Sequence, residues 1–225
     1  LWDIGVVLSP PAASTVNGRP LLNLSFALDY AWNGSDVRGY HATNLAIHVL
    51  AGLLALGILR RTLLLPALGC RFAPAETPLA LAVALIWTVH PLQTESVTYL
   101  SQRAESLAGL FCLLMLYGVI RAASAPSPLW TAAAIAASFA GAATQEVVAT
   151  AHVLVLLYDR TFLAGSFRGA LRARRSCYAG FAASWLLLAY LVVSAGNRSG
   201  SAGFGAEGAP GPLSYALTQR GVILH

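Results

Sequence analysis

Apolar residues fill this chain in long blocks separated by short polar interruptions. The alternating or every-third-to-fourth pattern of a half-buried soluble element is largely missing. Six blocks stand out, over residues 41–59, 78–90, 106–120, 129–144, 147–158 and 178–195. A bilayer-crossing helix needs about 17–25 apolar residues. The blocks therefore predict an all-α fold, a polytopic transmembrane helical bundle of about six spans. The fourth and fifth blocks fall short of that length and meet at Gln145-Glu146. Short spans that bring a carboxylate inward mark sites inside membrane proteins, so this pair predicts a hairpin that stops short or dips into a protein-lined hollow.

Ahead of the first block, residues 21–32 place Leu21, Leu24, Ala27 or Leu28, and Ala31 on one side and end with Tyr30 and Trp32. That pattern predicts a helix lying in the membrane interface. Pro10, Pro11, Gly18 and Pro20 make residues 1–20 a loop, and NGSDVRGY over 33–40 a turn. The organisation expected is an extracytoplasmic loop with an interfacial helix over 1–40, a transmembrane bundle over 41–196, and a Gly/Ser/Pro-rich extracytoplasmic loop over 197–225 leading to a further span. A chain that begins at Leu1, has Met115 as its sole methionine and stops in GVILH reads as a piece of a longer protein.

The most demanding stretch is 90–105, HPLQTESVTYLSQRAE, which sets polar and ionisable groups between two apolar blocks. Pro91 favours a break after the second block. Taken as a helix, the stretch brings Glu95 close to Thr98, Tyr99 and Gln102, with Arg103 and Glu105 on the flanks. One helix over 95–121 would be about 40 Å long and outrun a ~30 Å hydrocarbon core, so its polar end projects or lines a cleft. Charged groups at bilayer depth ordinarily face a cavity or a partner. The plainer alternative pairs Glu95 with Arg103 at the membrane surface.

Composition sharpens this reading. Of 225 residues, 57% are hydrophobic and only 10% charged, against about 25% in soluble domains. All 14 basic residues are Arg. They sit in short loops beside apolar blocks, where topology accounts for them without nucleic acid. Alternating the loops puts nine on one side (60, 61, 71, 121, 160, 168, 172, 174, 175) and five on the other (19, 38, 103, 198, 220). The nine-Arg side is cytoplasmic by the positive-inside rule. Acids divide the opposite way: Asp3, Asp29, Asp36, Glu95, Glu105, Glu146 and Glu207 against Glu76 and Asp159. The absence of Lys beside abundant Ala, Gly and Leu suggests a GC-rich genome. The location expected is thus a bacterial inner membrane, or the endoplasmic reticulum membrane in a eukaryote. Cys70, Cys112 and Cys177 lack ligand spacing and read as apolar fillers. No phosphate-loop, dinucleotide or H-E-x-x-H pattern occurs.

His41, Asn44 and His48 share one helix face. The two histidines lie roughly 10 Å apart, too far for one zinc ion. His41 suits a lipid or sugar phosphate and His48 a neighbouring helix; two packing histidines are the alternative. Arg19-Pro20 offers a charged fork suited to phosphate.

Five segments in order, NGRPLLNLSFALDY (17–30), GYHATNLAIH (39–48), HPLQTESVTYLSQRAESL (90–107), TQEVV (144–148) and LLYDR (156–160), resemble the membrane half of the transmembrane and tetratricopeptide-repeat-containing O-mannosyltransferase family and its bacterial relatives. The resemblance implies a GT-C type glycosyltransferase with a polyprenyl-phosphate sugar donor, an inverting transfer of mannose to a protein or glycan hydroxyl, and a tetratricopeptide array beyond the membrane part. It also implies a first-loop acidic pair upstream of Leu1, and Gln145 stands where many relatives carry Lys. Glu95 and Glu146 are the carboxylates expected at the chemistry. Arg19, His41, His90, Gln102, Arg103 and Glu105 are expected to bind substrate, Arg103 as phosphate partner. No residue is assigned to a metal, and a divalent ion stays open. The competing classes are a secondary transporter using Glu95 and Glu146 as an ion site, and an inert membrane anchor for a repeat domain.

Overall fold

The computed structural model describes residues 16–125 and 127–194, together with Gly5, Leu8 and Ser14. The 197–225 loop and most of the 1–15 loop lie outside the described residues. Among the described residues all regular structure is helical, as apolar surroundings demand of a backbone that must satisfy its own polar groups.

Helix α1 (Pro20–Asn33) starts on a proline, whose missing N–H costs nothing in a first turn. It stops at Gly34, which adopts φ +58° and donates its N–H to Tyr30 O. The turn passes to α2 (Val37–Leu63), capped by Asp36, whose Oδ1 accepts from Arg38 N at 3.0 Å. That cap starts the helix before the apolar block does. Arg60 and Arg61 occupy its last turn, where cations suit the helix dipole. The short α3 (Pro66–Phe72) and a 3₁₀ turn (Ala73–Ala75) reverse the chain into α4 (Glu76–Thr88). A second reversal runs through a 3₁₀ turn (Pro91–Gln93), α5 (Thr94–Thr98) and a 3₁₀ turn (Leu100–Gln102) into α6 (Arg103–Ser124). The hairpin follows as α7 (Pro128–Ala142) and α8 (Val148–Tyr158), which continues into a π-helix (Asp159–Ala164). Helices α9 (Phe167–Ala173) and α10 (Arg175–Ser194) complete the described chain.

Three unbroken stretches, Val37–Leu63, Leu100–Ser124 and Arg175–Ser194, are long and apolar enough to cross a membrane. The count rises to five if Ala73–Thr88 with Pro91–Thr98, and Val148–Ala164 with Phe167–Ala173, each count as one bent span. Pro128–Ala142 is a shorter apolar helix, as the block lengths predict.

Helix α6 is the hub. Met115, Val119 and Ile120 are buried against Ala134, Ala137, Val155 and Phe181. Gly118 lets α7 approach: a Cβ there would stand 2.9 Å from Ala134 Cβ and 3.1 Å from Trp130 O, the small-residue contact that membrane helices favour. A second cluster, Leu22, Ile47, Ala104 and Leu107, docks α1 onto α2 and α6.

The polar stretch does not form the single helix considered for 95–121. Tyr99 is extended (φ −97°, ψ 118°) and separates α5 from α6. Side chains of α2 engage the carbonyls that a continuous helix would use: His41 Nδ1 lies 3.1 Å from Val97 O, and Asn44 Nδ2 donates to Tyr99 O at 3.4 Å. The bundle consequently has an acid-bearing end, at the starts of α2 and α6 and the α7–α8 tip, and an arginine-rich end at the opposite helix termini.

Candidate functional site

Arg103 opens α6 from a position with no solvent exposure. Its Nε donates to Asn44 Oδ1 at 2.7 Å and its Nη2 to Tyr40 O at 2.9 Å. Its Nη1 faces Asp29 Oδ2 at 2.5 Å and also donates to Ser25 O at 3.4 Å. The guanidinium plane lies over Phe26, 4.5 Å from the ring centre. Asp29 is equally buried, and its Oδ1 accepts from Thr43 Oγ1 at 2.6 Å. Each guanidinium nitrogen of Arg103 is thereby engaged, so it fastens α1 to α2 and α6. This placement departs from the expected phosphate partner, and it equally excludes the surface pairing with Glu95. The physical reason is Asp29, a closer and fully desolvated counter-charge.

The tip of the α7–α8 hairpin is tied to α1 twice. Leu21 N donates to Ala143 O at 3.0 Å, and Arg19 Nη2 pairs with Glu146 Oε2 at 3.2 Å. Beside it, Gln145 Nε2 donates to both carboxylate oxygens of Glu105 at 2.9 Å. Two polar atoms at this junction, Arg19 Nε and Gln145 Oε1, are shielded from solvent and have no hydrogen-bond partner among the described residues.

Glu105 also lines a recess of about 240 Å³ between α2, α4, α5 and α6. Its polar wall comes from Gln93, Ser96, Glu105 and Ser106, with His48 and Trp87 beside them. Ala51, Leu110 and Leu113 supply an apolar side. His48 is held there by Thr88 O at 2.8 Å and by stacking on Trp87 at 5.4 Å, which matches the expected bond to a neighbouring helix. Glu95 stands on α5 between Gln93 and Ser96 in sequence, exposed; its backbone carbonyl accepts from Tyr99 N at 3.0 Å, and its carboxylate has no hydrogen bond or ion pair among the described residues.

Of the residues expected to share one hollow, the structure joins Arg19 to Glu146 and Glu105 to Gln145. Among the described residues Glu146 pairs with Arg19 and Arg103 with Asp29, and no ion pair joins Glu95, Arg103 and Glu146 to one another. His41 is half-buried against α5. His90 is exposed, and its Nδ1 accepts from Leu92 N at 3.2 Å. Gln102 is half-buried, its carbonyl accepting from Ser106 Oγ at 3.1 Å. Among the described residues no three His, Cys, Asp or Glu side chains converge as a metal ion would require.

Sequence reasoning missed Gln93, Ser96 and Trp87 as recess residues, and Asp29 as the counter-charge. It also missed a buried polar chain between α7, α8 and α10. Trp185 Nε1 donates to His152 Nδ1 at 3.0 Å. Indole N–H only donates, so Nδ1 accepts and the ring proton sits on Nε2. That N–H points at Ser138 Oγ, 2.7 Å away. Ser138 then donates to Ser184, which donates to Phe181 O at 2.8 Å. A serine receiving the imidazole proton is not being activated by that imidazole, so this Ser–His contact is a helix clasp.

Comparison with known proteins gives a consistent set of relatives. The chain is 37% identical over 99 residues to Protein O-mannosyl-transferase Tmtc1 of Drosophila melanogaster, covering 44% of this chain and 10% of that protein. It is 36% identical over 102 residues to Protein O-mannosyl-transferase tmtc2 of Xenopus laevis, covering 44% and 10%. Against Protein O-mannosyl-transferase TMTC3 of Homo sapiens it is 27% identical over 127 residues, covering 56% and 13%. The chain thus spans about a tenth of the length of the curated relatives it matches. No family model and no solved structure matches.

Proposed function

We propose that this chain, similar over about 100 residues to protein O-mannosyl-transferases, is part of such an enzyme and that its acid-bearing end forms part of the site of a membrane glycosyltransferase. The donor is a polyprenyl-phosphate sugar and the acceptor a hydroxyl on protein. One observation carries the reading: the recess beside Glu105 has a polar wall at the helix starts and an apolar side deeper along α2 and α6. A lipid carrying a phosphosugar has the same division between head and tail.

In this reading the acceptor oxygen forms a bond to the anomeric carbon while the bond from that carbon to the phosphate oxygen breaks. The acceptor proton passes to a carboxylate, and polyprenyl phosphate departs. The general base in this reading is a first-loop carboxylate of the kind the resemblance implies, and Glu95 orients the acceptor or the sugar. Arg19 takes the part first expected of Arg103. Its guanidinium is partly exposed and keeps donors free to meet charge building on the leaving phosphate. Glu146 holds Arg19 in place, and Glu105 holds the hairpin tip through Gln145. The active face is extracytoplasmic, by the arginine asymmetry.

The test uses the intact protein in membranes and a radiolabelled polyprenyl-phosphate mannose. Glu95→Gln is expected to abolish transfer, and Arg19→Gln to lower it by about 10²-fold, a typical loss for one charge-stabilising donor, both at normal membrane abundance. Full activity of Glu95→Gln would end the proposal.

A further inference from the structure

The arginine-rich end has more cations than its own acids can neutralise. Its two carboxylates are both taken: Glu76 Oε1 lies 3.7 Å from Arg60 Nε, and Asp159 is held by Arg174 and by Tyr178 Oη at 2.7 Å. Of the other guanidinium groups there, four rest on aromatic rings, among them Arg71 over Phe72 and Arg160 over Phe167. Two of them share a built structure. Arg61 lies 4.8 Å over the Tyr117 ring, Tyr117 meets Trp130 edge-on at 5.5 Å, and Arg121 lies 4.7 Å over Trp130. The order is cation, ring, ring, cation across α2, α6 and α7.

Two glycines make room for it. A Cβ at Gly57 would stand 2.7 Å from the Tyr117 ring, and one at Gly118 3.1 Å from Trp130 O. Arg61 Nη1 donates to Gly57 O at 3.2 Å, which fixes the head group over the ring. Among the described residues Arg121 Nε, shielded from solvent, has no hydrogen-bond partner, and neither arginine meets a carboxylate. A half-buried guanidinium at the end of an apolar helix, held over a ring and lacking a counter-charge among the described residues, presents forked donors suited to a phosphate.

We propose that Arg61 and Arg121, set around the Tyr117–Trp130 ring pair, form a binding site for the phosphodiester of an anionic phospholipid in the leaflet at the arginine-rich end. The membrane is the source because both arginines lie within a turn or so of the ends of long apolar helices, where headgroups sit. The site is at the opposite end from the recess and stands whether or not the transferase reading does.

The experiment uses the full-length protein in nanodiscs of phosphatidylcholine with phosphatidylglycerol as the probe, and native mass spectrometry to count retained phosphatidylglycerol. Each arginine that grips the phosphodiester directly is expected to contribute about fivefold in affinity, so Arg61→Gln with Arg121→Gln is expected to weaken retention by about thirtyfold. Arg168→Gln with Arg172→Gln, two exposed arginines at the same end, is expected to leave it within about twofold. Equal loss in both pairs would mean diffuse charge attraction and overturn the site, as would a wild type with no preference for phosphatidylglycerol. Displacement of the lipid by inorganic phosphate would reassign the source and overturn it too. Should the glutamine pair fail to fold, Arg61→Lys with Arg121→Lys keeps the charge and loses the flat fork. Retention is then expected to fall several-fold, and unchanged retention overturns the proposal.

Discussion

At the scale of single residues, Arg103 closes the joint between α1, α2 and α6 from a position with no solvent exposure. An arginine between two apolar blocks has to be doing something, since a buried unpaired charge costs several kcal/mol. Its partner could not be read, because Asp29 sits on another helix and no sequence spacing relates the two. Sequence alone therefore located the charge and assigned it to substrate, where the structure gives it a helix-clamping role. The clamp makes a sharp prediction. Arg103→Met leaves Asp29 buried without a counter-charge and is expected to lower stability by about 3–5 kcal/mol, read as a drop in the thermal midpoint of the detergent-solubilised protein. Adding Asp29→Leu removes the orphaned carboxylate and is expected to recover most of that loss. If the double variant is no more stable than the single, charge pairing is not what Arg103 contributes. Arg19, by contrast, was legible as a fork at the rim, and Glu146 as a carboxylate at a hairpin tip, because each follows from local composition.

At the scale of elements, the apolar blocks recovered the helices closely, and the short fourth block appears as the shorter helix α7. The break at Tyr99 was not legible. The local pattern from Glu95 onward is compatible with continuous helix, and the competing hydrogen bonds come from His41 and Asn44 across the bundle. The break has a functional consequence: it turns α5 across the starts of α2 and α6, so Gln93 and Ser96 reach the recess. Close packing of α6 on α7 is likewise a tertiary property with a local marker, Gly118. Gly118→Val is expected to cost about 1–3 kcal/mol through overpacking against Ala134. Gly109→Ala supplies the control on the same helix. Its Cβ would meet nothing within 4 Å, so stability is expected to stay level or rise by up to about 1 kcal/mol. Thermal midpoints measured side by side decide the matter, and equal effects at the two glycines would refute the close-approach account.

At the scale of the whole molecule, the two ends carry opposite chemistry, and this was legible because it is a sum over many loops rather than a matter of any one contact. Fourteen arginines distributed nine to five set a direction even where individual partners are unknown. The structure adds why the asymmetry matters. At the acid-bearing end, Asp29 is consumed internally by Arg103 and Glu146 by Arg19, while Glu95 remains exposed. At the other end both acids are consumed and arginines remain. A lipid-borne phosphosugar and an anionic headgroup would therefore engage the same bundle from opposite faces. Orientation is the claim that both readings share, and it can be checked without any activity. In a cysteine-free background, single cysteines at Glu95 and Arg168 are placed in sealed vesicles of known sidedness. A membrane-impermeant maleimide is expected to label the position of Arg168 only from the cytoplasmic side and that of Glu95 only from the opposite side. Labelling of both positions from one side would mean that the helices between them do not carry the chain across the bilayer in the sense inferred from the arginines, and the extracytoplasmic placement of the recess would fall with it.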